Sequence, residues 1–350
     1  MGIWKIEDYN TFFDDILNIS EENLKLAIKQ NEKNEYYGEH YNISKKVGIR
    51  KIYSINKKSK LYNIQKQISR NFLSNIMLAD CAYGFINGRS YIDFLIPHTA
   101  FYKDKYYLRL DIRDFFGSIS FSLLKDVLSH YFEVSEKLSE KEREKLIKYT
   151  LSIITNKKKV LQGAITSPLI SNIVFRQLDI RIQKYCRKLD IEYSRYADDL
   201  LFSSQSKYVH NKAFLKRIDE IVNSKGFNIN YCKTIRSEKE LSLNGYVIGE
   251  SVRLSRKKLE NISRILFVIE NMNWKNTKSN FEDLNNKIRV DLREDAIEFE
   301  GKYSLINYLT GNRAFIIAII KYSEDEKFLI RARKIINRIE KIVFKINSIK

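Results

Sequence analysis

Two adjacent carboxylates, Asp198 and Asp199, interrupt the run IEYSRYADDLLFSS between Ile191 and Ser204. β-Branched, aromatic and other apolar residues lead in from Ile191 to Tyr196 and out again from Leu200 to Phe202. That composition predicts two strands, and an Asp pair between them predicts a tight hairpin turn with both acids at its tip. Burying two neighbouring negative charges is unfavourable by several kcal/mol unless a positive charge faces them, and a divalent metal ion is the usual solution. For an isolated pair the plainer reading, that Asp-Asp is ordinary turn composition, is preferred. A third acid argues against isolation. Tyr106–Phe116 reads YYLRLDIRDFF, in which Tyr107, Leu108, Leu110 and Ile112 fit a central strand that carries Asp111. An acid on a buried strand is unfavourable without a compensating role, so Asp111 is a candidate site residue.

The elements around these acids belong to a chain of 350 residues and 41.5 kDa, long enough for a large core divided into subdomains. Lys and Arg number 62 against 43 Asp and Glu, a net charge of +19. Such a balance suits a polyanionic partner, and aromatic residues at 13% suit stacking on bases and sugars. A basic surface that only solubilises the chain explains the charge equally well. Cys81, Cys186 and Cys232 are odd in number and scattered, which points away from a disulfide framework or a zinc site and toward a reducing compartment. The sequence contains no signal peptide and no apolar run of membrane-spanning length, so the expected location is the cytoplasm, without a membrane partner.

Residues 1–44 read as a helical N-terminal extension, with Ser20-Glu21-Glu22-Asn23 opening a helix. Lys45–Gln65 reads as a basic hairpin followed by a helix. Its Lys45, Lys46, Arg50 and Lys51 can face a triphosphate, or can form a solvated edge strand. Helices are expected over Leu123–Lys159, with Lys157, Lys158 and Lys159 closing the last one. Gln162-Gly163 follows, where Gly163 permits close backbone approach to a ligand and Gln162 can reach a sugar or base edge. Ser167-Pro168 starts the next helix, whose Ile170, Ile173, Val174, Leu178 and Ile182 form a core face. A further helix is expected over Asn211–Ser224, then a strand from Gly226 toward Lys233. Leu241–Leu254 reads as one hairpin turning at Gly249-Glu250. Beyond Ser255 the chain is helical and basic. Ile335, Ile336, Ile339, Ile342, Val343 and Ile346 alternate there with Arg333, Lys334, Arg338, Lys341 and Lys345.

Tyr196-Ala197-Asp198-Asp199 resembles the YxDD signature of reverse transcriptases. Three further segments resemble that family's motifs in its order: LRLDIRDFFGSI from Leu108, LQGAITSPLISN from Leu161 and GFNINYCKT from Gly226. Lys46, Gly48, Arg50 and Ile52 match its fingers hairpin, and GFINGRS from Gly84 resembles a segment of bacterial members, retrons especially. Of the retron NAxxH pattern only His98 is in place, and of VTG only Gly245. The resemblance runs from about Lys45 to Leu254.

It implies an α+β right-hand polymerase: an N-terminal extension over 1–44, fingers and palm over 45–245, and a helical RNA-binding thumb over 246–350. The implied reaction is RNA-templated addition of dNTPs with Mg²⁺. Asp111 and Asp198 would bridge two ions roughly 4 Å apart, with Asp199 a weaker ligand. Asp114 is not assigned to metal. Lys233 would lie near the leaving pyrophosphate. Lys46, Arg50, Phe116, Gln162 and Gly163 would face the dNTP, and the Phe116 ring would exclude a 2′-hydroxyl unless it is plain core. Arg89 reads equally as a contact to a template phosphate or as a partner for a carboxylate that pins its loop. Arg333, Arg338 and Lys341 would grip nucleic acid. Implied partners are a structured non-coding RNA that serves as template and primer, its DNA product and an effector protein, in antiphage defence. Other readings are a defence-associated reverse transcriptase of a non-retron group, a catalytically silent RNA-binding scaffold, and an RNA-dependent RNA polymerase, against which Phe116 and Ala197 speak.

Overall fold

The two acidic segments of the sequence share one sheet. A computed structural model describes residues 2–33, 36–44, 48–99, 105–272, 278–292 and 298–348, with the backbone alone at 39–44, 48–51, 278 and 290–292. The chain divides into two compact units, Met1–Phe94 with Tyr107–Arg236, and Leu95–Tyr106 with Ser237–Lys350.

The first unit begins with α1 (Tyr9–Thr11), which widens into a π turn over Phe12–Leu17, and α2 (Glu21–Glu32). The Ser20 side chain accepts from the Asn23 amide and caps α2, as its sequence predicts. Glu21 accepts hydrogen bonds from the hydroxyls of Tyr9 and Tyr149, each at 2.7 Å, and pairs with Lys145 at 2.8 Å. The Lys145 ammonium holds the Glu21 carboxyl well below the usual carboxylate range.

A hairpin of β1 (Tyr37–Ser44) and β2 (Gly48–Ile55) follows, in register from Tyr37 against Ile55 to Ser44 against Gly48. Residues 37–44, expected to be helical, are therefore a strand. YGEHYNIS places Tyr37, Tyr41 and Ile43 at alternate positions, and β-prone residues at that spacing outweigh the helical pattern upstream. Lys45 and Lys46 lie outside the described residues.

Next come α3 (Lys60–Asn71), α4 (Tyr91–Leu95), β3 (Tyr106–Asp111), α5 (Phe121–Ser129) and α6 (Glu140–Ile154). Lys157 and Lys158, expected at a helix end, instead have positive φ angles of 47° and 62° in a turn after α6. The helix stops at Ile154 because Thr155 is extended and its amide returns to the Leu151 carbonyl.

The long α7 (Ser167–Arg187) starts at Ser167-Pro168 as predicted and buries Ile170, Ile173, Val174, Leu178 and Ile182. After it come β4 (Glu192–Tyr196), β5 (Asp199–Ser204), α8 (Lys212–Asn223) and β6 (Ile235–Glu238). The sheet order is β4-β5-β3-β6, which sets β3 beside the acidic hairpin. The segment after Gly226 forms only an isolated bridge, Ile229 with Ile112, then a short 3₁₀ turn over Tyr231–Lys233, rather than the expected strand.

Gly163 holds the β2 strand against the loop ahead of α7. The Tyr53 amide donates to the Gln162 carbonyl at 2.9 Å. A Cβ on Gly163 would sit 2.2 Å from the Tyr53 carbonyl oxygen, and its φ of 103° is one that L side chains rarely adopt. The close approach that Gly163 permits is thus to backbone. Gly163→Ala combines backbone strain with an overpacked contact, an expected loss of about 3 kcal/mol. Denaturant unfolding reads it; an unchanged midpoint would show that the hairpin and the loop separate freely.

In the second unit, β7 (Leu241–Leu243), β8 (Tyr246–Ile248) and β9 (Val252–Leu254) form a three-stranded meander, not one hairpin. The additional turn is Asn244-Gly245, with φ angles of 52° and 88°, the left-handed pair that an Asn-Gly hairpin turn requires. Helices α9 (Arg256–Glu270), α10 (Lys278–Leu292), α11 (Lys302–Ile320) and α12 (Glu326–Ser348) complete it. On α12, Phe328, Ala332, Ile335, Ile339, Ile342 and Ile346 are buried, an apolar stripe at helical spacing. Arg331, Arg333, Lys334, Lys341 and Lys345 are exposed. Among the described residues no helix is long and apolar enough to cross a membrane.

Candidate active site

The turn between β4 and β5 is built as the sequence predicts. Tyr196 pairs with Asp199, so Ala197 and Asp198 are the two residues of the turn. Ala197 has a φ of 55°, unfavourable for a residue with a side chain by about 1–2 kcal/mol. Its neighbours fix it. Arg195 Nη1 donates to the Ala197 carbonyl at 3.0 Å, and the Ile112 amide donates to the Asp198 carbonyl at 2.9 Å. Gly84 packs so closely that a Cβ there would lie 2.5 Å from the Ala197 nitrogen. The Gly84 carbonyl in turn accepts from Asn172 Nδ2 of α7 at 2.7 Å.

Asp111 ends β3 and Asp199 begins β5; both are buried, and Asp198 is half-buried. The guanidinium of Arg109 bridges two of the three acids, with Nη2 on Asp199 Oδ1 and 3.3 Å from Asp111 Oδ2. Its Nη1 donates to the Lys233 carbonyl at 3.1 Å, and Lys233 Nζ lies 3.2 Å from Asp111 Oδ1. Burial raises the Asp198 carboxyl above its ordinary value, and the charge of Asp111 adds to that. Burial likewise pushes Asp199 up to about 6, with Arg109 opposing and the other two acids adding.

Three carboxylates against two cations leave one negative charge in a partly desolvated place. Among the described residues, no three His, Cys, Asp or Glu side chains converge closely enough to form a ready metal cage. Mutual repulsion keeps the carboxylates apart, and Arg109 stands between two of them as a cation. The donor chemistry still fits one: every acidic group is a carboxylate, the hard oxygen ligand that Mg²⁺ prefers, and the charge excess favours it.

Phe115 and Phe116, adjacent in sequence, part company in the structure. Phe115 is 4% exposed and packs on Phe175 and Phe227, with ring centroids at 5.7 and 5.8 Å. Phe116 is half-buried, and its ring lies 6.4 Å from that of Phe85, which is 41% exposed. Phe116 is therefore not plain core. Gln162 is half-buried and Gly163 exposed, both in the loop against β2. Arg50 lies on β2 with only its backbone described, and Lys46 falls outside the described residues.

Arg89 pins its loop, although not through the expected carboxylate. Its Nη1 donates to the backbone carbonyls of Asp80, at 2.8 Å, and of Ala82, and its guanidinium lies 5.2 Å from the Tyr83 ring centroid. It pins the loop through carbonyls, not through a carboxylate. In the second unit Arg333 and Lys341 are exposed, whereas Arg338 forms a two-pronged pair with Glu270 at 2.8 and 2.9 Å.

Three charged groups escape the sequence reading, one alone and two as a pair. Arg109 stands two residues before Asp111, so both point to one face of β3; that spacing is the signal that was there to find. The other is a buried pair, Arg195 with Asp179, whose side chains are 0% and 1% exposed. Truncating one partner of such a pair strands the other, at about 3–5 kcal/mol.

A family model described as reverse transcriptase (RNA-dependent DNA polymerase) matches residues 43–248. The chain belongs to that family, with its α+β right-hand polymerase fold. Within it the chain is a retron-like bacterial member. The retron Ec73 reverse transcriptase of Escherichia coli is 36% identical over 168 residues, 47% of this chain and 52% of that one. The retron Ec86 reverse transcriptase of Escherichia coli is 32% identical over 231 residues, 63% of this chain and 67% of that one. The retron Mx65 reverse transcriptase of Myxococcus xanthus is 27% identical over 224 residues, 60% of this chain and 51% of that one. The chain thus spans about half the length of the Ec73 and Mx65 proteins. Among solved structures, telomerase from Candida albicans aligns with a TM-score of 0.47 at 14% identity, over 90% of this chain and 64% of that one.

Proposed function

We propose that the protein is an RNA-directed DNA polymerase that copies a dedicated structured non-coding RNA, using dNTPs and Mg²⁺. The observation that carries this reading is the meeting of Asp111, from the end of β3, with the Asp198-Asp199 turn, backed by Arg109 and Lys233. Asp111 and Asp198 would hold the metal, with Asp199 contributing weakly because Arg109 engages it. When bound, Mg²⁺ supplies charge stabilisation on the reacting phosphoryl oxygens. The primer 3′-oxygen would form a bond to the α-phosphorus as the α-phosphorus bond to the bridging β-phosphate oxygen breaks, with the 3′-hydroxyl proton passing to water and pyrophosphate leaving. Lys233 Nζ holds a proton beside Asp111, suited to neutralising the departing pyrophosphate. The β2 strand, carrying Arg50 and joined to Gln162 through Tyr53, is assigned to the dNTP along with Lys46.

Retron kinship favours an RNA encoded beside the gene, its DNA product, an effector protein and a role in antiphage defence. We assign residues 246–350 as the thumb, with the exposed cations of α12 toward nucleic acid, and the extension of the body shortens from 1–44 to 1–36, because β1 belongs to the hairpin with β2. Cys81, Cys186 and Cys232 are free thiols, which suits the cytoplasm.

Primer extension on an RNA template tests the reaction and the sugar choice together. The parent should add dGTP in preference to GTP. Phe116→Ala should narrow that preference by about tenfold or more, since a lost steric block is worth roughly 1–3 kcal/mol. Extension with GTP alone by the parent would overturn the DNA-polymerase reading. Unchanged discrimination in the variant would move the sugar gate elsewhere.

A further inference from the structure

The buried pair beneath the acidic turn has a part to play beyond packing. Arg195 extends its guanidinium in two directions. Nε and Nη2 donate to the two carboxylate oxygens of Asp179 at 2.8 and 2.7 Å, while Nη1 donates to the Ala197 carbonyl at 3.0 Å. The Tyr193 hydroxyl donates to Asp179 Oδ1 at 2.8 Å, and the Phe175 ring centroid lies 4.8 Å from the guanidinium. The main chain of Arg195 is fixed as well: its amide donates to the Cys81 carbonyl at 2.7 Å, and its carbonyl accepts from the Tyr83 amide at 2.8 Å.

From this geometry we infer that Arg195 and Asp179 are positioning residues that set the peptide between Ala197 and Asp198, and with it the Asp198 carboxylate. The inference rests on the reading of Asp198 as a reactive carboxylate. The Ala197 carbonyl belongs to the same peptide as the Asp198 amide, and Arg195 Nη1 is what holds it. The peptide on the other side of Asp198 is held by the Ile112 amide of the β3 segment. Asp198 is thus fixed on both flanks, one by the neighbouring strand and one by the charge pair. Ala197 at a φ of 55° has no intrinsic reason to remain there, so loss of the Arg195 anchor frees the turn on one side. A buried ion pair adds little net stability over apolar residues of similar volume. Fixing one conformation is the role left to it here, because one arm of the guanidinium reaches past its partner to the turn.

Two variants separate positioning from packing. Arg195→Met with Asp179→Leu removes both charges at similar volume, so neither is left stranded. Arg195→Lys keeps the charge toward Asp179 and loses the arm to the Ala197 carbonyl. Melting temperature, RNA affinity, primer-extension kinetics and Mn²⁺ binding by electron paramagnetic resonance are measured on each full-length chain. For the double variant, RNA affinity should stay near the parent and melting should fall only modestly, because the Tyr193 hydroxyl loses its acceptor. The maximal extension rate should fall about 10–100-fold and Mn²⁺ affinity about tenfold, as for other groups that orient metal ligands. The lysine variant should move both in the same direction, by less. Parental rate and parental Mn²⁺ affinity in the double variant would overturn the inference; if that variant fails to fold, the same outcome in Arg195→Lys would overturn it. Asp198→Ala in the same assays is the control. Activity in that variant would mean that the site reading itself had failed, whatever the pair does.

Discussion

With Asp198 and Asp199 both replaced by alanine, primer extension should fall by about a thousandfold or more while RNA binding survives. Asp198 lies in the turn and Asp199 begins β5, beside Asp111 at the end of β3, and the reaction would concentrate negative charge at the phosphoryl group. Without the carboxylates nothing in the turn can hold a compensating cation, and the lost stabilisation of several kcal/mol corresponds to that factor. Arg109 and Lys233 then retain, among the described residues, only Asp111 as an acidic partner, so the site gains net positive charge. RNA should therefore bind as tightly as before, or slightly more tightly. Filter binding and primer extension on the same preparation read both. Extension near the parental rate would mean that the reactive acids lie elsewhere.

Affinity for RNA should fall by about a thousandfold between 50 and 200 mM salt, if six phosphates are neutralised and their counterions released. The net charge of +19 and the exposed row of Arg331, Arg333, Lys334, Lys341 and Lys345 on α12 supply more than enough cations. Preference for one structured RNA over bulk RNA of equal length should persist at high salt, because loops, stacking and 2′-hydroxyls are read without counterion release. Arg333→Ala with Lys341→Ala should weaken binding and flatten the salt slope by about 2, with no change in melting. Arg338→Ala should behave differently, since its guanidinium ties α12 to Glu270 and the Ser263 carbonyl of α9. Its effect belongs first to stability. A salt slope near zero would remove α12 from the interface.

Much of the site was legible because its acids sit in short, patterned stretches. Asp198 and Asp199 lie between two apolar runs, and alternation around Asp111 marks a strand, so local sequence suffices for both. What escaped is what tertiary contact decides. Arg109 looks like one more basic residue in a basic chain until its strand neighbour Asp111 and the facing Asp199 give it partners. Asp179 sits among the core positions of α7, and only folding brings Arg195 to it, 16 residues later in the chain. Gly163 was read as room for a ligand, whereas the group that fills the room is the Tyr53 carbonyl. The strand at 37–44 was absorbed into a helical extension because its partner begins only at Gly48, beyond that boundary. Asn244-Gly245 carries a strong local turn signal of its own, and with Gly249-Glu250 it divides 241–254 into three strands instead of two.

Nucleic acid that copurifies with the protein from its native host, sequenced before and after RNase and DNase treatment, tests templated DNA synthesis most directly. One RNA, encoded beside the gene, should be enriched far above its cellular abundance, together with DNA complementary to part of it. The Asp198→Ala, Asp199→Ala chain should return the same RNA without the DNA. Ribosomal and transfer RNA in proportion to abundance, with no complementary DNA in either preparation, would contradict a reverse transcriptase with a dedicated template.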